Sequence, residues 1–166
     1  MAVFPIRLFG DPVLNTETQL VTEFDDRLRK LIDDMIETMY DAPGVGLAAP
    51  QIGVNKRLFV YDAGDEQGAR VVLNAELLSS DGEWEFDEGC LSVPGLFFPI
   101  TRAEHVVVKG LDRGGKEIEI DTNQYEARIL QHEIDHLNGH LLLSKVTKDQ
   151  RKEAMRVLRE RATGAL

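Results

Sequence analysis

The chain has 166 residues, 43% of them hydrophobic, which suffices for one domain with a substantial core and is too few for two ordinary ones. Its 19 basic and 29 acidic residues give a net charge of −10, which argues against a general polyanion binder, DNA included. One cysteine excludes an internal disulfide, and no apolar run approaches the roughly 18 residues of a membrane span, so a cytoplasmic protein away from membranes, with no secretory signal, is expected.

Phe24, Leu28, Leu31, Ile32, Met35, Ile36 and Met39 recur at helical spacing and predict a helix over 24–39, stopped by Asp41-Ala42-Pro43-Gly44. Short β-like runs follow at 57–62, 71–78, 105–111 and 116–120. Asp112-Arg113-Gly114-Gly115 reads as the hairpin turn between the last two. Ile129, Leu130, Ile134 and Leu137 predict a helix over 125–137, with Asn138-Gly139 as its stop, and a further helix is expected over 147–162. Helices segregated from short strands predict an α+β fold with largely antiparallel sheets: a small single domain over 1–146, with 147–166 as a C-terminal helical extension. Residues 144–166 carry seven Lys or Arg against three acids, a basic tail on an acidic body, and Met155, Leu158 and Ala162 form a stripe that would dock it.

In His132-Glu133-Ile134-Asp135-His136 the two imidazoles project from one helical face a turn apart and can bind one cation. Glu133 is turned about 100° away in an ideal helix. It can therefore approach water at the metal without competing as a ligand, which suits a general base. The third ligand decides the class. A metzincin would need histidine at 142, where Leu142 stands. A thermolysin-like site would take Glu153 or Glu160, which sit in a charged helix that reads as a solvated face. A lone cysteine is more often a small buried hydrophobe. Cys90 is nonetheless the better candidate: Gly89 allows close backbone approach, and Glu88 and Ser92 are polar where a core cysteine would have apolar neighbours. One thiolate and two imidazoles leave the fourth position open, as a catalytic metal requires.

Gly44-Val45-Gly46-Leu47-Ala48-Ala49-Pro50-Gln51, Glu88-Gly89-Cys90-Leu91-Ser92 and the stretch from Gln131 to Gly139 closely resemble, in wording, order and spacing, the motifs of the peptide deformylases, over the chain as far as about Val146. The resemblance implies a small α+β domain with the metal helix at its centre. It implies Cys90, His132 and His136 as ligands and Glu133 as the acid/base. The Gln51 side-chain amide and the Leu91 backbone N–H would polarise a formyl oxygen. Val45, Leu91 and Ile129 would form an apolar methionine pocket, Gly46 would give a tight path beside substrate, and Glu88 would pair with Arg102 to fix the cysteine loop. The implied ion is Fe²⁺, with Zn²⁺, Ni²⁺ or Co²⁺ as substitutes. The implied reaction is removal of the formyl group from nascent chains beginning with formyl-methionine, by attack of water activated at the metal, with ribosome contact through the basic tail as a further expectation. Tyr125 and Arg128 depart from the aliphatic residues of many relatives and put the pocket's shape in question, and His140 lies outside the pattern and reads as a surface histidine at a helix end. The competing readings are a hydrolase of internal peptide bonds and an inactive relative serving as a binding module.

Overall fold

The computed structural model describes residues 2–162; residues 163–166 of the basic tail, and the side chain of Ala162 from its apolar stripe, lie outside the described residues. The elements in chain order are α1 (Asp26–Asp41), β1 (Gly46–Ala48), β2 (Leu58–Tyr61), β3 (Arg70–Asp81), β4 (Trp84–Cys90), β5 (Val93–Arg102), β6 (His105–Leu111), β7 (Glu117–Asn123), α2 (Gln124–Leu137) and α3 (Lys148–Ala162), with 3-10 turns at Pro12–Asn15, Ala49–Ile52 and Leu142–Ser144. The predicted α+β class, antiparallel pairing and C-terminal helix are all present. A five-stranded sheet runs β1-β2-β3-β6-β7, every neighbour antiparallel, and β4 and β5 form a separate two-stranded sheet.

Helix α1 starts two residues later than the apolar stripe suggested, because the Asp25 carboxylate accepts from the Leu28 N–H and caps the first turn. Its stripe of Leu28, Ile32, Met35 and Met39 packs with Leu58, Val60 and Leu73 on one face of the large sheet. The opposite face takes α2: Phe59, Tyr61, Val72, Val106 and Val108 meet Ala127, Leu130, Ile134 and Leu137. Alternate residues of β2 thus face opposite helices, as strand geometry demands. The expected Asp112–Gly115 turn joins β6 to β7, with the Asp112 carboxylate accepting from the Gly114 and Lys116 N–H groups.

Three strands were not anticipated: β1, β4 and β5. The first has only three residues. In β5, Pro94, Gly95 and Pro99 interrupt the pattern, and the register jumps from Gly89↔Phe97 to Cys90↔Val93, an irregularity that accommodates residues 94–96. The C-terminal stripe also differs from expectation. Ala154 is the buried anchor of α3, packed with Val93 and Leu143 and flanked by Leu158, while Met155 is exposed. Thr147 caps this helix, exchanging hydrogen bonds with Gln150. Among the described residues, no helix is long and apolar enough to cross a membrane.

Asn74 ties the N-terminal segment to the sheet: at φ 54° it sits where the β3–β6 register shifts, and its amide both donates to the Val21 carbonyl (2.9 Å) and accepts from the Val21 N–H (2.8 Å). Asn74→Ala removes both bonds and leaves a side chain poorly suited to positive φ, so urea denaturation should show a loss of about 2–4 kcal/mol. Asn74→Gly, which relieves the backbone alone, should lose less.

Candidate metal centre

Helix α2 contains no proline or glycine, so His132 and His136 fall one turn apart, with their Nε2 atoms 3.2 Å from each other. Cys90 ends β4, and the irregularity there turns its sulfur onto the helix, where Sγ lies 3.3 Å from His136 Nε2. One atom from each of Cys90, His132 and His136 lies within 4.8 Å of the other two, a group able to hold a metal ion. The Ser92 N–H and Gln51 Nε2 both donate to Sγ, at 3.5 and 3.6 Å. Gln51 is buried in the Ala49–Ile52 turn with both ends of its amide fixed: Oε1 accepts from the Ala48 N–H and Nε2 donates to Ser92 Oγ.

Electrostatics in this cluster favour a cation. Burial would raise the Cys90 thiol, yet His136 and His132 hold it well below the ordinary range. Burial would lower His132, yet Cys90 and Glu88 hold it well above. The thiol and the imidazole thus shift each other, the sulfur toward thiolate and the ring toward holding its proton, and a divalent cation among the three atoms would take that proton's place. A soft thiolate with two imidazoles is a fitting donor set for such an ion. Two buried atoms nearby lack a protein partner among the described residues, His136 Nδ1 and Glu133 Oε1. Burial pushes the Glu133 carboxyl up, against the pull of the imidazoles. Gly46 lies against it, since a Cβ there would stand 2.4 Å from Glu133 Oε2.

Behind the cluster Glu88 is buried and bears four hydrogen bonds. Arg102 donates through Nε (2.7 Å) and a terminal nitrogen (2.6 Å), Arg128 through another (2.7 Å), and His132 Nδ1 lies at 2.5 Å. Burial opposes ionisation of Glu88, but the bonds from Arg102 and His132 outweigh it and keep the carboxyl far below the carboxylate range. Arg102 also reaches Asp135 at 2.9 Å. The expected Glu88–Arg102 pair is present. Arg128, Asp135 and Ser92 were missed as partners of the site, although Arg128 and Asp135 lie four residues before and three after His132, the spacing that shares a helix face. Arg128, which put the pocket's shape in question, does line the cavity, and its guanidinium spans Glu88 and the Trp84 and Ile100 carbonyls, tying α2 to both strands of the small sheet.

A cavity of about 520 Å³ opens over Glu133, His132 and Cys90. Val45, Gly46, Leu91 and Ile129, the residues expected to meet substrate, all line it, as do Phe86 and Tyr125. Val45 stands exposed at the mouth, and the Leu91 side chain packs onto Gly44. His140 is exposed and does not line the cavity. Glu153 and Glu160, the alternative carboxylates, pair with Arg156 on α3.

The sequence model of the polypeptide deformylase family matches residues 3–152. A peptide deformylase of Acidothermus cellulolyticus is 53% identical over 160 residues, covering 96% of this chain and 88% of that protein. The crystal structure of a peptide deformylase from Legionella pneumophila superposes with a TM-score of 0.93 at 48% identity, covering 98% of this chain and 96% of the other. That of a peptide deformylase from Ehrlichia chaffeensis in complex with actinonin gives 0.90 at 37% identity, covering 97% and 98%.

Glu88→Ala leaves His132 Nδ1 without its acceptor and two buried guanidinium groups without their carboxylate. Chelator competition should show metal affinity falling by about 10- to 100-fold, and unchanged metal retention would refute the supporting role of Glu88.

Proposed function

This chain belongs to the peptide deformylase family, and from that premise we propose that Cys90, His132 and His136 hold its metal ion and that Glu133 moves the protons. The enzyme is a hydrolase that removes the N-formyl group from nascent polypeptides. What carries the residue assignment is the convergence of a thiol and two imidazoles within 4.8 Å beside a buried carboxyl oxygen that has no protein partner among the described residues, under an open cavity. When bound, a divalent cation supplies the acidification of water and the polarisation of a carbonyl oxygen. We assign Fe²⁺ as the native ion, with Zn²⁺, Ni²⁺ or Co²⁺ as substitutes that the same donor set accepts.

An amide resists hydrolysis because neutral water is a poor nucleophile and because the tetrahedral intermediate carries an oxyanion. Glu133 answers the first difficulty by taking a proton from the attacking water, and then delivers it to the departing amine nitrogen. One carboxylate thus acts as base and acid in turn, and its burial strengthens its hold on the proton between the two steps. Gln51 Nε2 and the Leu91 N–H answer the second by donating to the formyl oxygen as charge develops. The Gln51 amide is held for this by the Ala48 N–H and Ser92 Oγ, and of its two Nε2 hydrogens the one near Sγ, at a long 3.6 Å, is the one that would turn to the formyl oxygen. Val45, Leu91 and Ile129 offer apolar surface to the methionine side chain, and Gly46 lets the peptide backbone approach.

We further propose that α3 brings the enzyme to the ribosome in the cytoplasm. Ala154 and Leu158 face the domain, while Lys148, Arg151, Lys152 and Arg159 are exposed, a layout suited to RNA phosphates. Cosedimentation with ribosomes should weaken on exchanging Lys148, Lys152 and Arg159 for glutamate and weaken with added salt; binding that ignores both would dispose of the contact.

Glu133→Ala should retain its metal and lose at least about 100-fold in kcat on formyl-Met-Ala-Ser. Gly46→Ala, which drives a methyl group into the Glu133 carboxylate, should move in the same direction. Hydrolysis of unformylated peptides in place of formylated ones would overturn the reading.

A further inference from the structure

Residues 2–8 form no helix or strand, yet the segment that ends at Phe9 bonds to both loops of the site. The Arg7 N–H donates to the Gln51 carbonyl at 2.6 Å and the Phe9 N–H to the Ser92 carbonyl at 2.9 Å. Two residues is the spacing at which an extended chain turns its groups to the same side. Gln51 and Ser92 are 1% and 0% exposed, so their carbonyls are shut off from water and need a protein donor. The segment supplies one to each. It is itself anchored, because the Phe9 ring packs against Val93, Leu143 and Ala154, the cluster that Cys90 also joins from the end of β4. Beyond the ring, the Asp11 N–H donates to the Leu8 carbonyl at 3.1 Å and closes a turn in which Gly10 stands at φ 103°. The Asp11 carboxylate pairs with Arg7 at 3.1 Å, and the Arg7 guanidinium lies against Gly53, just past the Gln51 turn, where a Cβ would stand 2.7 Å from it.

Ser92 is where the two loops meet. Its N–H donates to Cys90 Sγ at 3.5 Å, its hydroxyl accepts from Gln51 Nε2 at 3.1 Å, and its carbonyl takes the bond from Phe9. A shift of this residue therefore moves the proposed ligand sulfur and the proposed oxyanion donor together. Resting on the deformylase reading of the site, we propose that Phe9 is a positioning residue for the reaction: its ring seats the segment, and the seated segment holds Ser92 and, through Ser92, the Gln51 amide and the Cys90 sulfur. Phe9 does not line the cavity and acts only through these neighbours. A misplacement of about 1 Å in a group that must meet the transition state can cost about 100-fold in rate, so a partial loosening of the segment reads first in kcat.

Phe9→Ala keeps the N–H and removes the ring that seats it. With formyl-Met-Ala-Ser, kcat of the metal-loaded variant should fall about tenfold while KM stays within about twofold, because the Gln51 bond matters as charge develops and the segment contributes no wall to the cavity. Chelator competition should show metal affinity lower by about threefold or more, a readout that needs no turnover. Phe9→Leu, which puts a smaller apolar chain in the same place, should lose about threefold in kcat. Val146→Ala thins the same cluster from outside both loops, so urea denaturation should show it destabilised while kcat and metal affinity match the wild type. A kcat of Phe9→Ala within about twofold of wild type overturns the inference, as does a loss confined to KM or one that Val146→Ala shares. Should Phe9→Ala not fold, Phe9→Leu decides in its place, a kcat equal to wild type overturning the inference. A wild-type enzyme that leaves the formyl group in place overturns the deformylase reading instead, and the metal-affinity comparison still decides whether Phe9 holds the sulfur.

Discussion

The charge balance around Glu88 is the constraint on which the geometry of the centre rests. This carboxylate sits where α2 crosses the β4–β5 sheet, and its partners come from both: Arg102 from β5, and Arg128 and His132 from α2. Removing any one leaves buried charge uncompensated in a low-dielectric setting, which is why such clusters hold their geometry tightly. The sulfur of Cys90 travels with β4 and the imidazoles with α2. The same contacts that neutralise Glu88 therefore fix the distance between the thiol and the rings.

That frame explains how one short helix can carry two opposed electrostatic tasks. On one side His132 leans on a carboxylate that is kept ionised, which orients its ring and leaves Nε2 free for the ligand role proposed for it. One residue along, Glu133 is buried against Gly46 where it lines the cavity, with an oxygen that has no protein partner among the described residues. The carboxyls of Glu88 and Glu133 are pushed in opposite directions, Glu88 down by its cationic partners and Glu133 up by burial. Separated acid strengths of this kind let one group remain a fixed anchor while the other exchanges protons.

Much of this was legible in the sequence where the physics is local. Helical spacing fixed the relation of His132 to His136 without tertiary knowledge, and the stripe from Leu28 to Met39 announced α1. Cys90 was readable because polar neighbours made a core role implausible. The strand β4 alternates Trp84-Glu85-Phe86-Asp87, yet its partner β5 is broken by Pro94, Gly95 and Pro99, and a strand without a readable partner was passed over. The place of Arg128 at the cavity was readable but its partners were not: a position on a helix face does not tell what a long side chain reaches, and its carbonyl acceptors are supplied by Trp84 and Ile100. On α3 the single-residue phase error between Met155 and Ala154 shows the same limit, since a weak stripe does not choose its inward side.

The β4–β5 hairpin leaves the large sheet after Asp81 and the chain returns to it at His105, where β6 pairs directly with β3. Topologically it is an excursion: the register of the main sheet is settled without it. The β3–β6 pairing is made within the large sheet, while the hairpin meets α2 through the bonds of Arg128 to Glu88 and to the Trp84 and Ile100 carbonyls. Since the thiol rides on this arm and both imidazoles on the second helix, the three proposed ligand atoms meet only through a contact that the main sheet does not itself require.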